Sequence, residues 1–374
     1  MPYRGPCRIP GRTGLFDLVY ERGTIVSLRP VDAAEAGSAD VPWVSPGLFD
    51  IQVNGMVGVN LSDEDLRREG VLKIDAALEA HGVTRWCPTV TTQDPQIVTR
   101  NLEILGRLID EGSAPNVHGI HLEGHYISSE PGYRGVHMER YIRDPDLSEM
   151  QSWYRAARGK ICLFSLAPER TGAIPFIGAL KTMGVKVGLV HHRADYQTIR
   201  SAAAAGADLS SHLLNGCAPM VHRQHNVIWA QLSLDDLWAS FIADGYHIPH
   251  YTLRALIRAK GIARSILISD LAHLSGMPDG EYAKNGNTVV LKDEGLWVKG
   301  EGTNLLSGAV KTLEKGCAYL AGQAGFALED ALTMASLNPA RYFGIDGRCA
   351  LHAGWSGKLV GFTWRDGILT PKML

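Results

Sequence analysis

Five short apolar runs in this chain each close on a residue that can bind a metal or move a proton, and their order constrains the fold more than any other feature. The runs go from Val117 to Glu123, Val185 to His191, Ala207 to His212, Ala239 to His247 and Ser265 to Asp270. Strands that aim polar residues from their C-terminal ends into one mouth are how a (β/α)8 barrel builds a catalytic face. A carboxylate, imidazoles and a final aspartate in that mouth suit metal-assisted hydrolysis.

The rest of the chain supports a barrel. Gly47 to Ile51, Val83 to Cys87 and Lys160 to Leu166 supply three further strand-like runs, which brings the count to eight. Helical stretches lie between runs, around Val71 to His81, Asn101 to Asp110 and Tyr196 to Ala205. Such alternation over about 300 residues predicts a parallel sheet with crossover helices. Toward the N-terminus, Leu18 to Tyr20 and Thr24 to Leu28 flank Glu21-Arg22-Gly23, a hairpin signal. Ala33 to Asp40 reads as a small, polar loop. Near the C-terminus, Lys358 to Trp364 is strand-like and precedes a turn at Arg365-Asp366-Gly367. The expected organisation is therefore a small β domain from residues 1–46 and 345–374, with the α/β barrel of residues 47–344 inserted into it.

Composition narrows the partners. A formal net charge of −2 gives no electrostatic footprint for nucleic acid or an anionic membrane. No apolar run approaches the roughly 18 residues of a spanning helix, and no secretory h-region follows the N-terminus. The six cysteines form no CxxC pair, which predicts reduced thiols and a cytoplasmic protein.

Two imidazoles and one carboxylate make a three-ligand catalytic zinc set with an open position, so Glu123, His191 and His212 are the candidate ligands, with His192 competing for the place of His191. A strand-end carboxylate at Asp270 could take a proton from water and return it to a leaving amine, or simply cap a helix. His247 could donate a hydrogen bond to a substrate carbonyl. Gln52 and Asn54 fall on one side of the first strand, where two histidines would make a second metal site. Neutral amides are poor zinc ligands, so one main divalent ion is expected and the pair reads as a remnant of a second site. The loop from Asn215 and Gly216 to Arg223 could hold an anion, the guanidinium being suited to bidentate phosphate recognition.

Assembled in order, these segments make the chain resemble the amidohydrolase superfamily, and within it the N-acetylglucosamine-6-phosphate deacetylases. The resemblance runs from Pro46 to about Phe343. It is carried by Pro46 to Gly55, His121-Leu122-Glu123-Gly124, Leu166-Ala167-Pro168-Glu169, His191-His192-Arg193-Ala194, Ser211 to Asn215, Ile242 to His247 and Ser269-Asp270, and is supported by Gly276 to Tyr282 and Leu337-Asn338-Pro339-Ala340. It implies that Glu123, His191 and His212 hold the metal, the family pattern His-x-x-Ala choosing His191 over His192. By the same resemblance His247 polarises the acetyl carbonyl, Asp270 is general base and acid, and Asn215, Gly216 and Arg223 lie near the sugar phosphate. His137 matches a family histidine near the sugar, and such enzymes are commonly homodimers.

The chain departs from the family pattern at His125, at His192-Arg193, at Gly216-Cys217 and at Gln224-His225-Asn226, positions expected to line the substrate pocket. The function expected is metal-dependent hydrolysis of the N-acetyl amide of an amino sugar, with N-acetylglucosamine 6-phosphate as the leading substrate. An amidohydrolase for another N-acyl sugar, N-acyl amino acid or cyclic amide is the alternative. A non-catalytic barrel that senses a sugar phosphate or metal is the second.

Overall fold

The computed structural model describes residues 2–32, 41–284, 287–300 and 305–374. The loop expected over 33–40 lies outside these residues.

Eight parallel strands pair in chain order: Leu48–Val53, Val83–Val90, Ile120–Glu123, Ile161–Leu166, Lys186–Leu189, Leu209–Ser210, Trp238–Ile242 and Ser265–Ile268. The ring closes where Val53 bridges Leu271 in parallel, the Asp270 N–H donating to the Gln52 carbonyl (3.1 Å) and the Asn54 N–H to the Leu271 carbonyl (2.8 Å). Strand periodicity divides the side chains between two cores. Phe49, Ile51, Cys87, Leu163, Leu209, Ile242 and Ile266 fill the interior, where Tyr342 and Phe343 pack against them. Val90, Leu122, Phe164, Leu166 and Leu189 face outward and meet the helices. Val71, Ile74 and Leu78 of helix Arg68–Ala80 lie three or four residues apart and form one buried stripe.

The expected strands are all present, but several are shorter than the apolar runs. The fifth, sixth and eighth stop before His191, His212 and Asp270, whose φ angles of 47°, 31° and 52° take the backbone out of the ladder. The seventh stops at Ile242, because Asp244-Gly245 makes a turn ahead of His247. The helix expected from Asn101 starts earlier, at Pro95, because the Asp94 side chain accepts from the Gln96 N–H and proline occupies the first turn.

Both chain ends join small antiparallel sheets. Tyr3–Cys7, Leu15–Glu21 and Thr24–Val31 form one, and Trp43–Ser45, Val360–Arg365 and Ile368–Met373 form another. Each hairpin turns on two residues with positive φ, Arg22-Gly23 and Asp366-Gly367, the geometry that matches the right-handed twist of its strands. Cys7, Leu18, Ile25 and Val44 share a core with Leu351, Trp355 and Leu359. A third such sheet, Gly280–Lys284, Asn287–Lys292 and Gly295–Val298, follows the eighth barrel strand and was not anticipated. Its Val289, Leu291 and Leu296 pack on Ala272 and Leu274. No helix among the described residues is long and apolar enough to cross a membrane.

Candidate active site

The third strand shows how the site is built. Ile120 and Leu122 point outward into the helix layer, so His121 and Glu123 must point inward. His121 sits lower in the barrel, 2.8 Å from Ser165 Oγ and 3.3 Å from Thr89 Oγ1, and is held by the wall. Glu123, one step nearer the mouth, meets the two imidazoles. Its Oε1 accepts from His212 Nε2 at 2.9 Å and stands 3.7 Å from His191 Nε2. One donor atom from each of the three residues falls within 4.8 Å of the others.

The surroundings of these groups prepare them for a cation. The Tyr133 carbonyl accepts from His191 Nδ1 at 2.6 Å, which fixes the proton there and leaves the Nε2 lone pair toward Glu123. Burial, together with the charges of His137 and His212, holds the His191 pKa well below the ordinary histidine value. Burial also works against a charged His212, but the hydrogen bond and charge of Glu123 outweigh it and hold the imidazole up to about 9. Burial would likewise raise Glu123, yet His212 keeps its carboxyl well below the usual range. A fully buried carboxylate facing two imidazole nitrogens, with His212 Nδ1 left without a partner among the described residues, is a donor set that fits a divalent metal. Three of the five run-closing residues, His191, His212 and Asp270, adopt left-handed backbone. That conformation costs on the order of 1–3 kcal/mol per residue and clusters at functional sites.

Asp270 lies beside this group. The Gln52 side chain donates from one nitrogen to Glu123 Oε2 (3.1 Å) and to Asp270 Oδ1 (3.0 Å), and Asn54 Nδ2 donates to the same Oδ1 at 2.7 Å. Both amides therefore use one oxygen, which leaves Oδ2 as the acceptor for a proton. Burial and the negative charge of Glu123 raise the Asp270 pKa above the usual carboxylate value, as a proton-transferring group requires. Gln52 and Asn54, expected as remnants of a second site, serve here as holders of two carboxylates.

The structure brings His137 into the same mouth, its ring centroid 4.6 Å from that of His191 and its Nδ1 2.8 Å from Thr92 Oγ1. His247 is fixed from below by Asp244, a residue passed over in the sequence. Asp244 Oδ1 accepts from the Tyr246 and His247 backbone N–H groups, and Oδ2 accepts from His247 Nδ1 at 2.7 Å. The signal was present as an aspartate three residues ahead of a histidine across a glycine, the pattern of a side chain that closes its own turn.

Two of the departures from the family pattern are buried. His125 is fully buried, 4.8 Å from the Trp153 ring, and burial pushes its pKa down to about 3. Its backbone φ of 64° turns the ring into this aromatic cluster, so it does not line a pocket. His192 is buried as well, its pKa pushed down to about 4, and with His191, Asn215 and Gln231 it encloses a cavity of about 10 Å³. Gly216 passes over the His191 ring with φ 66°, and a Cβ there would stand 2.6 Å from His191 Nδ1. Gly216→Ala is therefore expected to displace His191 and to weaken metal affinity by about 10- to 100-fold, read by chelator competition on the folded protein.

Arg223 is exposed, and its carbonyl accepts from the Trp229 indole N–H at 3.0 Å. Beside it opens a groove of about 660 Å³ lined in part by Tyr133, Arg193, His222, His225 and Trp229. Tyr133 joins this groove to the candidate metal ligands, since its carbonyl accepts from His191.

No protein-family model matches the chain. An N-acetylglucosamine-6-phosphate deacetylase of Danio rerio is 31% identical over 350 residues, 89% of this chain and 84% of that protein. One of Vibrio furnissii is 30% identical, covering 87% of this chain and 81% of that protein. An N-acetylgalactosamine-6-phosphate deacetylase of Escherichia coli O157:H7 is 29% identical over 87% of this chain and 84% of its own length. A Mycobacterium smegmatis N-acetyl-D-glucosamine-6-phosphate deacetylase, solved as a mutant in complex with N-acetyl-D-glucosamine-6-phosphate, superposes with a TM-score of 0.84 at 26% identity over 99% of both chains. Sequence likeness at this level over most of the length, on a barrel that gathers a Glu-His-His set beside an aspartate, places the chain in the N-acetylglucosamine-6-phosphate deacetylase family of the amidohydrolase superfamily.

Proposed function

We propose that the protein hydrolyses the N-acetyl amide of an amino-sugar 6-phosphate, with N-acetylglucosamine 6-phosphate as substrate, releasing acetate and the amino-sugar phosphate. The observation that carries this reading is the shared amide of Gln52, which holds the carboxylates of Glu123 and Asp270 on either side of one nitrogen. Glu123, His191 and His212 would hold one divalent ion, zinc in this reading. Such an ion lowers the pKa of a coordinated water and polarises a carbonyl. Asp270 Oδ2 takes the proton of the attacking water, then delivers it to the departing amine nitrogen. His247 faces the carbonyl oxygen as negative charge builds there. His137 and the Asn215–Gly216 turn border the sugar, and Arg223 takes the phosphate.

The 29% identity to an N-acetylgalactosamine-6-phosphate deacetylase keeps the 4-epimer as a second substrate reading. We also read the chain as a cytoplasmic homodimer, a reading supported by six free cysteines and the exposed Met220 and Trp229 beside the groove. The domain division after residues 46 and 344 is supported by the separate core that both chain ends share.

Acetate release from N-acetylglucosamine, N-acetylgalactosamine and their 6-phosphates tests the assignment. A preference for the phosphorylated sugars is expected. Charge-assisted hydrogen bonds contribute about 1.5–3 kcal/mol, so Arg223→Ala should lower kcat/KM on the phosphorylated sugar by about 10- to 100-fold and leave the unphosphorylated one unchanged. Equal turnover with and without phosphate would remove the phosphate from the assignment, and no acetate from any of the four would remove the sugar.

A further inference from the structure

His247 is held so that its neutral form cannot perform the task assigned to it. Asp244 Oδ2 lies 2.7 Å from His247 Nδ1, so the proton of a neutral ring sits on Nδ1 and Nε2 carries a lone pair. A lone pair cannot stabilise a developing oxyanion; only the imidazolium presents an N–H from Nε2 while keeping the bond to Asp244. Asp244 is 4% exposed. Burial alone would raise its pKa, but the charge and hydrogen bond of His247 and the two backbone donors hold it below the usual range. The turn itself is clamped. Lys311 Nζ donates to the Asp244 carbonyl at 2.9 Å and lies over the Tyr246 ring, and the Tyr319 ring packs on Gly245. The charged and titratable groups around the Asp244–His247 pair are Asp270, just past the eighth strand, Lys311, Tyr246 and Tyr319.

We propose that Asp244 is the positioning residue of the electrophile: it locks the ring with Nδ1–H toward its own carboxylate and makes the His247 imidazolium the form that acts on the substrate carbonyl. The proposal rests on the deacetylase reading for the identity of that carbonyl. Nothing in the reaction consumes the His247 proton, which stays on the ring while the hydrogen bond from Nε2 strengthens.

The substitution that separates this role from a structural one is Asp244→Asn. Its Oδ1 stays on the two backbone N–H groups, so the amide nitrogen must face His247 Nδ1 and donate to it. The ring then carries its proton on Nε2 while neutral and remains a donor at alkaline pH. The wild-type metal-loaded enzyme is expected to lose kcat on the alkaline side. Asp244→Asn should show a kcat about 10- to 100-fold lower near neutrality, an unchanged KM and no alkaline limb. His247→Gln, a neutral donor, should also lack the limb. A wild-type profile flat on the alkaline side, or an Asp244→Asn profile that keeps the wild-type limb under a uniform loss, would overturn the proposal. Nitrogen-15 NMR of the unsubstituted protein gives an answer independent of turnover and of how the variants fold. A neutral His247 carrying its proton on Nδ1 at high pH supports the lock, and one carrying it on Nε2 refutes it. Failure of the deacetylase reading looks different, as wild-type enzyme that releases no acetate from any N-acetylhexosamine 6-phosphate.

Discussion

Asp270→Asn is expected to lower kcat for acetate release by about 10³-fold, within the range that general acid–base catalysis contributes. The substitution is close to isosteric. Asparagine keeps an oxygen where Gln52 and Asn54 donate, so the two amides that hold Oδ1 at 3.0 and 2.7 Å have no reason to move. What changes is the other atom. An amide NH2 replaces Oδ2 and cannot accept the proton of the attacking water or carry it to the leaving nitrogen. The three proposed ligands, Glu123, His191 and His212, are untouched, so metal content should stay at the wild-type level and KM should change little. A loss in kcat with both held constant assigns proton transfer to Asp270. A variant within tenfold of wild type would show that the proton travels by another group, and a variant that lost its metal would show Asp270 to be a ligand.

Most of what places Asp270 was legible in the sequence. Val185 to His191 and Ala207 to His212 read as strands because apolar side chains buried on both faces need continuous runs, and the sheet carries them in chain order. The hairpins were legible from Arg22-Gly23 and Asp366-Gly367, since two-residue turns demand residues that tolerate positive φ. Directions of side chains outside regular structure were not. His125 follows Gly124 at the end of the third strand, and periodicity would aim it near the mouth, but a φ of 64° turns it onto Trp153, a partner 28 positions away by residue number. Asp244 escapes the hydrophobic pattern for a related reason: its role comes from closing a turn on His247, which only the Asp-Gly-x-His spacing signals. The roles of Gln52 and Asn54 depend on the eighth strand closing on the first. Composition of the first strand could say only that they are poor zinc ligands, not that they hold Asp270.

Replacing His212 by alanine is expected to abolish stable metal binding and, with it, acetate release. Changing a group that merely orients a ligand costs about 10- to 100-fold in metal affinity, so deleting one of the three proposed ligands should weaken binding by more than about 100-fold. A second consequence is confined to the metal-free protein. His212 is the hydrogen-bonded partner of Glu123, whose side chain is 3% exposed. Removing it leaves Glu123 with the Gln52 amide as its donor and no charged imidazole hydrogen-bonded to it, a loss that costs up to roughly 3–5 kcal/mol unless the group takes up a proton. The His212→Ala protein should therefore be least stable at neutral and alkaline pH, and should recover as acid protonates Glu123. Proton competition gives the wild type its own signature. Glu123 holds the His212 pKa up to about 9, whereas a cation binds the neutral imidazole. Below that pH one proton must leave for each ion bound, so the dissociation constant should rise about tenfold per pH unit as pH falls. Between pH 8 and pH 6 the change should be about 100-fold, measured by chelator competition. A pH-independent affinity in wild type would mean that His212 does not bind the ion. Metal content retained in His212→Ala at chelator concentrations that wild type withstands would remove it from the ligand set.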